Sequence, residues 1–139
     1  MTTGTFNGTN LIVKWGDKAI GHTTSCTLSL TADLPDATTK DSAGWAQHIQ
    51  GLRSGTISVD GLVDYSDDGT TKQGAVGMAD LIINRTSVSL YFGTETVGDT
   101  IYTCTASLGD FEQSAEMEAP VSFSGTFVIN GAITKATLT

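Results

Sequence analysis

Positive charge is scarce and dispersed. Seven Lys and Arg stand against fifteen Asp and Glu, the net charge is −8, and no two basic residues are adjacent. Proteins that grip nucleic acid cluster Lys and Arg to neutralise phosphates, so this balance argues against a DNA- or RNA-binding module. Long apolar runs are missing too, and none approaches the roughly 20 residues that span a bilayer. The opening MTTGTFNGTN has neither a basic nor an apolar stretch, which sets the expectation of synthesis and folding in a reducing cytoplasm. The two cysteines, Cys26 and Cys104, both fall on predicted apolar strand faces. They read as buried thiols, with a disulfide as the alternative.

Catalytic sets are equally thin. The two histidines, His22 and His48, sit in unrelated contexts, and there is no G-x-S-x-G, C-x-x-C, H-x-x-x-H or phosphate-cradling glycine loop. Asp64, Ser66, Asp68 and Gly69 fit the opening half of a calcium loop. Ala75 stands where the closing bidentate acid is required, so the segment reads as a turn. Asn7-Gly8-Thr9 and Asn84-Arg85-Thr86 match a glycosylation sequon by chance, given no secretory signal. The expectation is a non-enzyme with no cofactor and no metal.

What the chain does have is alternation. Ile20, His22, Thr24, Cys26, Leu28 and Leu30 share one strand face, with Thr23, Ser25, Thr27 and Ser29 on the other. Ile57, Val59, Gly61, Val63 and Tyr65 likewise oppose Thr56, Ser58, Asp60 and Leu62. Tyr102, Cys104, Ala106 and Leu108 oppose Thr103, Thr105 and Ser107, while Val121, Phe123, Gly125, Phe127 and Ile129 oppose Ser122, Ser124 and Thr126. Strands are therefore expected over 11–15, 19–31, 56–65, 87–93, 102–108 and 121–129. Tight turns at Gly16-Asp17, Ser66–Gly69 and Gly98-Asp99 separate some of them. A helix capped by Thr70 or Thr71 is expected to run to about residue 84, with Ala75, Met78, Ala79, Ile82 and Ile83 as its apolar stripe.

These elements predict a single domain over 1–139: a mainly β, antiparallel sandwich or barrel with one helix packed on it and a long β–β loop. Residues 1–10 form an N-terminal arm, 131–139 a C-terminal tail, and 112–118 an acidic link. The loop over 32–55 breaks the alternation; an extended piece near 37–42 and a helical turn near 45–49 are expected in it. A loop of this length usually has a binding or bridging task. Four polar strand faces without Lys, Arg or Pro also lack the usual guards against edge pairing, which suits an assembly in which copies complete one another's sheets.

The run from Ile20 to Tyr65 resembles the signature region of the major tail tube proteins of long-tailed bacteriophages. Ile20-Gly21 with Ser25, then Thr39-Lys40-Asp41-Ser42 with Gly44-Trp45, then Gly51, Ile57-Ser58 and Gly61 follow the family's order. The helix, the Val88-to-Phe92 strand and the closing pair of strands continue it, so the likeness covers nearly the whole chain. The resemblance implies the tail-tube fold in a structural virion protein. In that family, hexameric rings stack into a hollow tube and each subunit gives four strands to an inner barrel around a DNA channel. It implies a lumen-facing set: Thr23, Ser25, Thr27, Ser29, Thr56, Ser58, Asp60, Thr103, Thr105, Ser107, Ser122, Ser124 and Thr126. Lys40, Asp41, Trp45, His48, Ile49 and Arg53 are the candidate contacts between subunits or rings. Implied partners are further copies of the chain and other tail proteins (tape measure, terminator, baseplate or sheath), with DNA only as passing cargo, in a virion tail made in the host cytoplasm. A tube from a related injection or secretion apparatus, or a monomeric β-sandwich binding module, is the alternative.

Overall fold

A computed structural model describes residues 2–66, 69 and 72–139. Strands form where branched or aromatic residues alternate with hydroxyls, because a pleated strand sends successive side chains to opposite faces. In chain order they are β1 (Ile12–Trp15), β2 (Lys18–Ala19), β3 (Thr23–Ala32), β4 (Arg53–Leu62), β5 (Ser87–Gly93), β6 (Thr100–Ser114), β7 (Ser122–Ile129) and β8 (Thr134–Thr137). The one α-helix among the described residues is α1 (Ala75–Ile83). The strands join one antiparallel sheet in the order β2-β1-β5-β6-β7-β4-β3, and β8 pairs the start of β6. This is the expected mainly β architecture with a single packed helix.

β6 organises the sheet. Residues 101–107 pair with β5 and residues 106–114 with β7, so this one strand belongs to two half-sheets. Their far ends approach each other: Cys26 Sγ on β3 lies 3.6 Å from the carbonyl oxygen of Leu11, just before β1. Between them Val13, Leu90 and Phe92 meet Ile57, Val59, Phe123 and Phe127 in one buried cluster. Phe127, Ile57 and Leu90 are each under 2% exposed. Full burial of such side chains contributes about 1.5–3 kcal/mol apiece. Cys26 and Cys104 are free thiols, and burial pushes both above the ordinary thiol pKa, which keeps them protonated and unreactive.

Several expectations are corrected. The 19–31 strand is broken, because His22 takes a left-handed conformation (φ 56°) and its carbonyl turns to accept the Leu62 N–H at 2.9 Å. β4 starts earlier and ends earlier than 56–65, leaving Tyr65 outside it and 73% exposed. α1 begins at Ala75 after Gly74; the threonine caps proposed at 70 and 71, and Asp67 and Asp68 of the predicted turn, lie outside the described residues. Its buried stripe is Ala75, Met78 and Leu81, whereas Ile82 and Ile83 are exposed. Met78 seats on Gly125 of β7, and that contact rotates Leu81 rather than Ile82 toward the sheet. The tail over 131–139 is not free, since β8 pairs with β6. The acidic link is shorter than expected, because β6 continues through Glu112 to Ser114.

Candidate functional site

The four strands with hydroxyl faces are contiguous in the sheet, as β6-β7-β4-β3. Their registers align the polar residues into rows that cross all four. Ser25, Asp60, Ser124 and Glu112 form one row. Thr27, Ser58, Thr126 and Asp110 form the next, and Ser29, Thr56, Val128 and Ser107 a third. Paired residues of an antiparallel ladder point to the same face, so this is one continuous surface. It holds hydroxyls, three carboxylates (Asp60, Asp110, Glu112), one valine and no cation. The opposite face of the same strands carries Ile57, Val59, Phe123 and Phe127 and is buried under the rest of the domain.

Two bulges set what this face contains. At the start of β3 the register slips between Thr23 and Ser25. Thr23 consequently pairs with Gly61, on the inward side of β4, and its hydroxyl donates to the Ile20 carbonyl at 2.8 Å. Thr24 takes its place, donating to the Asp60 carbonyl at 3.2 Å, beside the Ser25 hydroxyl bonded to the Asp60 carboxylate at 3.0 Å. Thr23 thus leaves the expected set. On β6 the register slips between Leu108 and Asp110, with Gly109 as the extra residue. The inward position passes from Leu108 to Phe111, and Asp110 and Glu112 turn onto the hydroxyl face. Those two acids were missed in reading the sequence; a glycine followed by an out-of-phase Phe was the available signal. Thr103 and Thr105 stay on the same side of β6 but lie opposite Tyr91 and Ser89 of β5, outside the four-strand rows. None of the expected face residues is buried.

Both outer edges of this four-strand unit are open among the described residues. β3 pairs only with β4, and residues 108–114 of β6 pair only with β7. β3 reads TTSCTLSLTA, with no charge and no proline to discourage a further strand.

The segment between β3 and β4 is an arm held by its own backbone. Asp33 N–H donates to Leu52 (2.8 Å), Ile49 N–H to Pro35 (3.1 Å) and Ala37 N–H to Gln47 (2.8 Å). Asp36 and His48 form an antiparallel bridge. The expected helical turn over 45–49 is therefore extended ribbon, and the helical turn sits earlier, at Lys40–Ser42. There Thr39 and Ser42 form a capping box, and Ala43 (φ 52°) and Gly44 (φ 85°) reverse the chain. The Thr38 hydroxyl and backbone N–H hold the Asp36 carboxyl below its usual pKa. Lys40, Asp41 and Trp45 gather at the tip, His48 and Ile49 lie midway, and Arg53 stands at the root; all six are exposed. Trp45 is 77% exposed and Leu52 82%, so neither is folded beneath its own arm.

No helix of the described residues is long and apolar enough to cross a membrane. No curated protein sequence matches the chain. A family model described as "Phage tail tube protein" matches residues 6–135. Among solved structures, a chain of the virion of a native gene transfer agent particle aligns with a TM-score of 0.79 at 17% identity, covering 95% of this chain and 99% of that one. A chain from the tail of an empty gene transfer agent particle, refined with C6 symmetry, aligns at 0.78 and 16% over the same shares. The SPP1 tail tube aligns at 0.70 and 12% identity, covering 96% of this chain and 80% of that one. At such identities these likenesses establish the fold.

Proposed function

We propose that this chain, which belongs to the phage tail tube protein family and serves as a structural tail-tube protein of the virion tail, closes into sixfold rings whose bore is lined by the hydroxyl face. Family membership displaces the solitary binding module as a reading. The observation that carries the proposal is the three-row surface over β6-β7-β4-β3, free of cations and bounded by two unpaired edges. An open β3 edge on one copy and an open β6 edge on the next can continue the sheet around a ring. Six such units make a barrel of about 24 strands; at about 4.8 Å spacing and 40° tilt its backbone diameter is about 45–50 Å. That leaves room for a duplex once side chains are subtracted. The C6 symmetry of the gene transfer agent tail supports the same count.

The wall works by not binding. DNA carries dense negative charge, and lysines along the bore would hold it by releasing its counterions. Short hydroxyls keep the wall hydrated, and Asp60, Asp110 and Glu112 repel phosphate weakly through screened fields. A non-enzymatic conduit made in the host cytoplasm, stacked ring on ring and joined to tape measure, terminator, baseplate or sheath, is the whole role. The arm over 32–55 and the terminal segments supply contacts between rings. Particles carrying Ser58→Lys with Ser124→Lys are the test. The expected result is normal tail length with slowed DNA release; release at the wild-type rate would contradict a low-friction wall.

A further inference from the structure

A cleft of about 690 Å³ lies at the root of the arm. Leu30, Leu52, Ile129 and Ile133 form its apolar walls, and Gly51 and Gly55 keep it open. A Cβ on Gly55 would stand 2.8 Å from Leu30 and 3.0 Å from Ile129. Within one copy nothing covers Leu30 or Leu52, which are 54% and 82% exposed. The same chain carries a matching knob, Trp45 at the arm tip, 77% exposed. That knob cannot reach its own cleft. The ribbon is pinned by hydrogen bonds from Asp33–Leu52 at the root to Ala37–Gln47 near the tip, and the steps from Leu52 to Gln47 at about 3.3 Å each carry the tip about 16 Å from the root.

We propose that the Trp45 tip of one copy docks in the root cleft of a second copy. Charge supports this occupant: the tip carries Lys40 and Asp41, the cleft is lined by Arg53, and Asp33 stands beside its Gly51, one of each sign on both sides. Pairing Lys40 with Asp33 and Asp41 with Arg53 leaves no charge unmatched. A knob on one end of the arm and its socket at the other make a head-to-tail contact, which propagates from copy to copy rather than stopping at a pair. The inference rests on the tail-tube reading and adds the socket to it.

The test is a charge swap read by sedimentation and microscopy of purified protein. Asp41→Arg alone and Arg53→Asp alone should each raise the concentration needed for assembly about tenfold or more, and the double variant should restore most of it. Trp45→Ala should weaken assembly to a similar degree, with Trp45→Phe recovering part. Full-chain circular dichroism checks that each variant stays folded, since every changed side chain is exposed. Single variants that assemble like wild type, or a double variant no better than the singles, would overturn the docking while the tube reading stands. A wild-type chain that never assembles would overturn both.

Discussion

Gly61 sits where two strands come closest, and its lack of a side chain has a steric cause rather than a torsional one. A Cβ there would meet the His22 carbonyl oxygen at 2.6 Å and the Phe123 ring at 2.9 Å. The carbonyl cannot retreat, because it accepts the Leu62 N–H that anchors the β3 bulge. Gly61→Ala should therefore cost about 1–3 kcal/mol in chemical denaturation, whereas Gly8→Ala, with open space around it, should be nearly silent. Asp99 is the second telling residue. It is buried, and its carboxylate accepts the Thr2 N–H, the Thr2 hydroxyl and the Thr94 hydroxyl, while its carbonyl receives Leu138 N–H at 2.9 Å. These bonds, led by the Thr2 hydroxyl, lower its pKa from 3.8 to about 2. A depressed carboxyl contributes stability above its unfolded pKa and loses it as pH falls through the folded one. Asp99→Asn should lower the melting temperature at neutral pH, and the gap from wild type should close between about pH 4 and pH 2. A gap independent of pH would mean that the carboxylate's charge is not what holds Thr2 and the N-terminal segment in place.

Among the elements, β4 and β7 were the most legible, because their alternation runs unbroken and sorts Ser58 from Val59 and Ser124 from Phe123 without ambiguity. β3 and β6 were legible only up to their bulges. A single extra residue inverts every face beyond it, so Thr23 was assigned to the other side, Glu112 to a link and Asp110 to no element. The arm was the least legible: its cross-links are mostly backbone hydrogen bonds, and these leave no period in the side chains. Gly109 offers the test at this scale. Deleting it should close the ladder with Leu108 and Asp110 as direct neighbours opposite Phe127 and Thr126, keep Asp110 and Glu112 on the hydroxyl face and Phe111 inward, and leave the protein folded at neutral pH. A deletion variant that is unfolded or aggregated, or that loses its near-UV circular dichroism, would contradict that register. Replacing Gly109 by Ala, which keeps the residue count, should also be tolerated; its Cβ would lie 3.2 Å from a Val128 methyl that can shift.

At the scale of the whole molecule, one subunit presents an unfinished object. Its core is covered internally, yet Leu30 and Leu52 stand exposed, β3 and the far half of β6 end in open ladders among the described residues, and a ribbon tipped by tryptophan projects away from the core. The proposed ring explains why such edges are kept rather than guarded: in it each is completed by another copy. The net charge of −8 also fits the proposed conduit, whose wall should not retain DNA. The central claim is that identical copies enclose a bore faced by the rows of β6, β7, β4 and β3. A helical cryo-electron microscopy reconstruction of assembled tubes measures it most directly. The account predicts Ser58, Ser124, Thr126 and Asp110 on the innermost wall, with β3 of each subunit hydrogen-bonded to β6 of its neighbour. Those residues on the outer surface of the tube, or β3 left unpaired in the ring, would contradict it.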